Sequence, residues 1–348
     1  MYISSISLTN IRNFAKDHFT FSPHLTLIIG ENARGKTNLL ESVYVAVYGT
    51  GFRESRELEL LQWDKSQGVV ESTFIENNLK SFYQVRFLQK ENNRVEKRYF
   101  INKTLKSSHH YGAHQTHAVL FAPQSLDIIT RSPSRRRRYL DHVLSSTDMQ
   151  YKIHLRNYEN ALRKRNKILE QHSNTHALKQ ELLFWNDYLV ERAAYITQKR
   201  DKFICFLNKH QSIDGRSFYI TYLKNECTHD RLEDCFFKER LIRRTFVGPQ
   251  KDDFAIHQQQ PLEKNIHLYG SRSEQRIAIF WLALNEVKYV EQNLNKKPIL
   301  LLDDIFSELD EHNKVLVMHM IAQCQTIITT TEPRLVKLAQ MPEVVIEL

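Results

Sequence analysis

What this chain is short of narrows it first. It has four cysteines in 348 residues, Cys205, Cys227, Cys235 and Cys324, with neither paired metal-ligand spacing nor a disulfide framework. That usage favours a reducing compartment and predicts a cytoplasmic protein. No apolar run approaches the roughly 20 residues needed to cross a bilayer, so no membrane partner is expected. The opening residues Met1-Tyr2-Ile3-Ser4-Ser5 lack a basic region leading into an apolar core, and a secretory leader is not expected. Internal repeats and low-complexity tracts are missing too. The length then leaves one large domain or two ordinary ones, each with its own core.

Positive charge is present in excess. A net charge of +9 on a chain that is 41% hydrophobic suggests a polyanionic partner, nucleic acid before an anionic membrane surface.

The most informative stretch runs from Leu25 to Glu41. An apolar run of strand length, Leu25-Thr26-Leu27-Ile28-Ile29, feeds Gly30-Glu31-Asn32-Ala33-Arg34-Gly35-Lys36-Thr37-Asn38, which fits G-x-x-x-x-G-K-[ST]. A helical pattern of Leu39, Leu40, Val43, Tyr44 and Val47 follows and stops at Gly49. Strand before and helix after make this a phosphate site: glycines let the loop wrap closely and its N–H groups face phosphate oxygens. Lys36 is predicted on the β- and γ-phosphates and the Thr37 hydroxyl on Mg²⁺, so the chain is expected to bind a nucleoside triphosphate.

Its counterpart lies near the other end. Pro298-Ile299-Leu300-Leu301-Leu302-Asp303-Asp304 has no polar alternation and reads as a strand buried on both faces, with two carboxylates at its carboxyl end. Asp303 is assigned to the Mg²⁺ of the Thr37 site and Asp304 to orienting the attacking water. Ser271 and Glu274 form a capping box before a long apolar helix, and a helix start with a serine hydroxyl also suits a γ-phosphate. Residues 326–331 and 344–348 read as further strands.

Between these ends, residues 2–8 and 18–21 read as a strand pair around Asn10-Ile11-Arg12-Asn13-Phe14. Runs at 69–75, 82–88 and 95–101 suggest antiparallel hairpins. His109, His110, His114 and His117 read as ordinary histidines of a polar loop, because no Cys or acidic residue joins them at ligand spacing. Ser132-Pro133-Ser134 leads into Arg135, Arg136, Arg137 and Arg138 at a helix start. Consecutive helical residues point in all directions, so at least one should pair internally while others contact phosphate. Helical periodicity over 142–170 and 178–208 predicts two helices of about 30 residues forming an antiparallel arm, linked at His172-Ser173-Asn174-Thr175. Arg156, Arg163, Lys164, Arg165 and Lys167 give the first a basic face. Thr245 to Asp253 contains Gly248-Pro249, for which turn chemistry suffices.

Together these motifs resemble the RecF family of ABC-type ATPases of recombinational DNA repair, related to the SMC heads. The similarity spans essentially the whole chain. It rests on Asn10 to Phe14, Gly30 to Ser42, Ser132 to Asp141, Tyr158 to Asn166, Val247 to Asp253 and Leu301-Leu302-Asp303-Asp304-Ile305-Phe306-Ser307-Glu308-Leu309-Asp310. The resemblance implies an α/β fold, an ABC-ATPase head (P-loop sheet plus antiparallel β-subdomain) formed by residues 1–141 and 245–348, with a helical arm lobe at 142–244. It implies ATP and Mg²⁺ as cofactors and a head-to-tail ATP-dependent homodimer. Lys36, Thr37, Asp303 and Asp304 of one copy would face Ser271 of the other, Gln124 would stand near Mg²⁺, and Asp310 would sit at the dimer seam. Slow DNA-linked hydrolysis is implied, with binding of single-stranded and gapped or junction duplex DNA. So are RecO- and RecR-type partners in recombinase loading. Arg135 to Arg138, Arg163 and Lys164 are the candidate DNA contacts. The chain departs from the family at Ser273 and Ala33, both usually Gly, and at Gln250-Lys251, usually His-Arg. Three other readings stay open: a transporter motor subunit, an SMC-like nuclease, and a DNA-binding scaffold without turnover.

Overall fold

The structure, a computed structural model, describes the chain except residues 54–55, 92–93, 114–116, 172–174, 211, 214, 305–323 and 332–341. It divides into two compact units, residues 1–125 with 286–348, and residues 126–285. The predicted arm segment 142–244 falls inside the second unit, which also takes in 126–141 and 245–285.

The chain opens with β1 (Tyr2–Ile11), β2 (Phe14–Thr20) and β3 (Leu25–Ile29), then α1 (Lys36–Tyr48). Asn10 and Arg12 take positive φ in the tight β1–β2 connection, and Gly49 ends α1 in the left-handed conformation. The meander β4 (Gln67–Glu76), β5 (Leu79–Gln89), β6 (Val95–Ile101) and β7 (Thr104–Lys106) follows, with α2 (Ser108–Ala113) and β8 (Ala118–Phe121) after it.

The second unit holds α3 (Asp127–Thr130), α4 (Pro133–Thr147), α5 (Met149–Gln171) and α6 (Thr175–Lys209). The periodic stretch 142–170 is therefore two helices rather than one. Asp148 breaks it: extended at φ −132° and ψ 107°, it accepts the Tyr151 N–H on Oδ1 at 3.1 Å and starts the next helix. Of the predicted link His172 to Thr175, Thr175 begins α6 and the rest lies outside the described residues. Next come β9 (Ser212–Ile213), β10 (Arg216–Leu223), α7 (His229–Asp234), α8 (Phe236–Ile242), β11 (Asp253–Gln260), β12 (Lys264–Asn265) and α9 (Ile266–Tyr269). Helix α10 (Arg272–Leu294) leads to β13 (Ile299–Asp303), β14 (Thr326–Thr330) and β15 (Val344–Glu347).

Three sheets result. The first unit carries a six-stranded antiparallel sheet, β2-β1-β4-β5-β6-β7, and a five-stranded parallel sheet, β15-β3-β14-β13-β8. The second carries the four-stranded β12-β11-β10-β9. β13 and β14 are buried at every residue, as an uninterrupted apolar run in a parallel sheet requires. The core of the first unit joins both its sheets to α1, through Ile6, Leu8, Phe74, Val85, Val43 and Leu301 among others.

Candidate functional site

β3 ends at Ile29 and α1 begins at Lys36, so the intervening loop is carried between a buried strand and a helix start. Gly30 is required by packing: a Cβ there would lie 2.6 Å from the carbonyl oxygen of Leu348. Gly35 is required by conformation, with φ +110° at the N-cap of α1. Ala33 also sits at positive φ, 66°, where an L residue is strained relative to glycine. Glu31, Asn32 and Arg34 are exposed, while Gly35 and Lys36 are buried. The Lys36 ammonium reaches back to donate to the carbonyls of Gly30 and Glu31 at 2.8 and 2.9 Å, bracing the loop from within. The first N–H groups of α1 have no intrahelical acceptor, so they and the helix dipole favour an anion at this end.

The predicted convergence of the two ends of the sequence is found. Thr37 Oγ1 donates to Asp303 Oδ1 at 2.9 Å. Thr329, on the neighbouring strand β14, donates to the same oxygen at 2.8 Å, and Asp303 is 3% exposed. Register explains the meeting. β14 lies between β3 and β13, Thr329 pairing with Ile28 on one side and Asp303 on the other, so all three carboxyl ends open to one place. The Thr329 hydroxyl also accepts the Asp304 N–H at 2.9 Å, while Asp304 turns to φ 48°. One hydroxyl thus bonds both the Asp303 carboxylate and the Asp304 main chain. A hydroxyl beside a carboxylate is a hard-oxygen donor pair suited to Mg²⁺. Gln124 is exposed in the turn after β8, whose Phe121 pairs with Leu302, at the same carboxyl ends.

A third element supports the loop, and only the resemblance pointed to it. Asn13, in the β1–β2 turn, donates to the Arg34 carbonyl at 3.2 Å and accepts from Asn38 at 2.7 Å. Its side chain lies against Gly35, where any Cβ would collide. Beside it Arg12 pairs at 2.9 Å with Glu41 of α1, which is 1% exposed, and Arg53 approaches the same carboxylate. Burial is the main cause of a lowered pKa at Arg53; Glu41 opposes it, Arg12 adds to it and Asp303 opposes it. Arg53 thus lies within the field of Asp303.

Ser271 belongs to the second unit, where it caps α10 as predicted. It accepts the Glu274 N–H on its hydroxyl at 3.3 Å and donates its own N–H to Glu274 Oε2 at 2.8 Å. Ser273 is exposed in the first turn of that helix.

The arginine motif has several fates. Arg136 is buried and makes a two-point pair with Asp253 at 2.6 and 3.1 Å, with Nη1 on the carbonyls of Ile128 and Arg131. It is withdrawn from the candidate DNA contacts, because its donors are spent inside the unit. Arg137 donates to the Asp252 carbonyl at 2.7 Å, and burial, then Arg200, lowers its pKa. Arg135 lies 3.6 Å from Asp127, and Arg138 is exposed. Arg163 bonds Asn160 at 2.5 Å and Lys164 stands over the Trp185 ring, both on the surface of α5. Arg165 corrects the predicted basic face. It is 0% exposed and pairs with Glu239 at 2.7 Å, so it belongs to the interior.

The turn at Gly248-Pro249 is tertiary as well as local. Gly248 has φ +121° and sits against the Tyr158 hydroxyl, which donates to Gln250. Arg200 joins the two motifs from behind, bonding Asp141 at 2.7 Å, Asp252 at 2.8 Å and the Pro249 carbonyl at 2.8 Å. Among the described residues no group of His, Cys, Asp and Glu is arranged to hold a metal by itself. The stretch 107–117 is not the polar loop expected: His109 and His110 lie in α2, His117 is buried, and His114 lies outside the described residues. Asp310 does too.

With this geometry the chain compares closely with known proteins. Residues 2–347 match the model of the RecF/RecN/SMC N-terminal domain. The DNA replication and repair protein RecF of Agathobacter rectalis is 32% identical over 347 residues, covering 95% of this chain and 92% of that protein. RecF of an Exiguobacterium species is 33% identical with the same coverage. A solved structure of the recombination mediator protein RecF with ATP, of the RecFOR pathway, superposes with a TM-score of 0.83 at 29% identity, covering 95% and 92%. The Smc head domain of Pyrococcus furiosus shares the fold at a TM-score of 0.52 and 17% identity, over 95% of this chain and 90% of that one. The expected ABC-type head with its P-loop sheet and antiparallel β-subdomain is therefore the fold observed, and the chain belongs to the RecF family of the RecF/RecN/SMC group.

Proposed function

We propose that this chain is an ATP-dependent DNA-binding protein of recombination and repair, dimerising on ATP near single-strand gaps. The observation that carries the reading is the Thr37–Asp303 bond at 2.9 Å, which brings the loop hydroxyl and the strand-end acid onto one point. The RecF–ATP likeness supports ATP as the nucleotide. The backbone of residues 30–38 would cradle the phosphates. Lys36 would exchange its two carbonyl acceptors for charged phosphate oxygens, a stronger pairing. Thr37, Asp303 and Gln124 would hold Mg²⁺, which when bound neutralises charge on the β- and γ-phosphates. Asp304, whose main-chain N–H is held by Thr329, would orient the attacking water.

Ser271 of a second copy would complete the site in trans, its capped helix offering a hydroxyl and N–H groups to the γ-phosphate. Ser273 in place of glycine would hinder close backbone approach there and weaken the trans contact. Slow, DNA-linked hydrolysis is the turnover that the family resemblance implies. Arg135, Arg137, Arg138, Arg163 and Lys164 remain candidate DNA contacts. Partners of RecO and RecR type follow from the RecFOR pathway of the solved relative, with recombinase loading as the outcome.

Asp304→Asn tests the scheme. It should keep ATP binding, abolish turnover and trap a dimer, read by sedimentation and light scattering with ATP, ADP or neither, on short gapped DNA. A variant that stays monomeric with saturating ATP and DNA would sink the sandwich.

A further inference from the structure

The six-stranded antiparallel sheet of the first unit buries one face, through Ile6, Leu8, Phe74, Val85 and Phe87, in the core with α1. Its other face can be read off the register. Ser7 stands between His18 and Glu71, Glu71 pairs with Gln84, and Gln84 with Phe100. In the next rows Ser5, Thr73 and Phe82 align on one side, and Val69, Arg86 and Arg98 on the other. Small hydroxyl residues on β1 leave a depression of about 580 Å³, bordered by His18 at one side and by Phe82, Arg86, Phe100 and Lys103 at the other.

Solvent-facing positions of an antiparallel sheet ordinarily carry polar side chains. Here Phe82 is 56% exposed and Phe100 is half-buried, with the Arg86 guanidinium 4.9 Å above the Phe100 ring. Arg86 also donates to Gln84 at 2.8 Å, and Gln84 donates to Glu71 at 2.6 Å, so the polar groups between the rings are held in fixed orientations. Flat rings edged by cations, with an oriented amide and carboxylate between them, match the chemistry of unpaired nucleotides: π-faces, phosphates and base edges. Duplex bases are stacked on each other and offer no face to a ring.

We propose that this sheet face is a platform for single-stranded nucleic acid. Bases stack on Phe82 and Phe100, Arg86, Lys103 and His18 take the phosphates, and the Gln84–Glu71 pair meets base edges. The proposal rests on the nucleic-acid reading above and adds to it a place for the unpaired strand of a gap.

The test is fluorescence anisotropy of the full chain with a labelled thymidine oligonucleotide of about 15 nucleotides and with a blunt duplex. Phe82→Ala and Phe100→Ala should each weaken single-strand binding about tenfold, and Phe82→Tyr should restore it, with duplex affinity changed by less than about twofold. Unchanged single-strand affinity in the double alanine variant would overturn the platform while leaving duplex binding intact. Equal losses on both ligands would overturn it too, since stacking has no duplex target. If the wild-type chain binds neither ligand, the nucleic-acid reading falls with it, and the face is left to a protein partner. Should the variants misfold, the wild-type chain photocrosslinked to a 4-thiothymidine oligonucleotide decides: adducts on peptides of β5 and β6 support the platform, and adducts confined to α4 and α5 refute it.

Discussion

The phosphate loop and the arginine run of α4 look alike in the sequence, each a short block of polar residues opening a helix, yet the fold uses them in opposite ways. The loop, on the reading proposed above, holds its groups for a ligand. Its reach is made by backbone and by residues supplied from far away, Asn13, Asp303 and Thr329. The arginine run splits: Arg136 is spent on Asp253, Arg137 on a carbonyl, and Arg138 faces solvent. A glycine-lined loop can turn successive N–H groups toward one anion, whereas four helical side chains spread around an axis. Adjacency therefore concentrates function in the first case and divides it in the second.

Three measurements would break or sharpen this contrast. The largest effect should come from the buried side. Arg200→Met would remove the ion-pair partner of Asp252, which is fully buried and would keep only the Tyr222 hydroxyl and the Asn225 N–H, and should cost about 3–5 kcal/mol in denaturant unfolding. A loss below about 1 kcal/mol would mean that the pair linking residues 141 and 252 is not structural. Next, Lys36→Met should weaken ATP binding about a hundredfold by calorimetry, because charge-assisted bonds to phosphate are lost. Its unfolding free energy should fall by about 1–3 kcal/mol, since two part-buried bonds from the ammonium to loop carbonyls go with it. A variant that kept its ATP affinity would end the contrast. The smallest effect is expected at Thr329→Val, about 1–2 kcal/mol of stability, because the Asp304 N–H and Asp303 Oδ1 each lose a partner. Turnover should fall more than ATP affinity does; the reverse would show that Thr329 serves binding rather than the placement of the two acids.

Much of the site was legible because its signals are local. The loop, the capping box at Ser271 and the unbroken apolar run before Asp303 each follow from spacing, and all three recur in the structure. The single helix expected over 142–170 failed for an equally local reason, a cap at Asp148 that periodicity does not register. Arg165 failed for a different one: its fully buried partner, Glu239, is remote in sequence.

By itself the sequence determined the family, the phosphate loop with its strand and helix, and the residues that can meet a metal, because these depend on short spacing and backbone stereochemistry. Only tertiary structure decided that Thr329 governs both acids, that Asn13 backs Gly35, that Arg136 and Arg165 turn inward, and that two phenylalanines share an outer sheet face with Arg86. Those outcomes depend on strand register and on which buried charge lies within reach, and residues far apart in the chain set both.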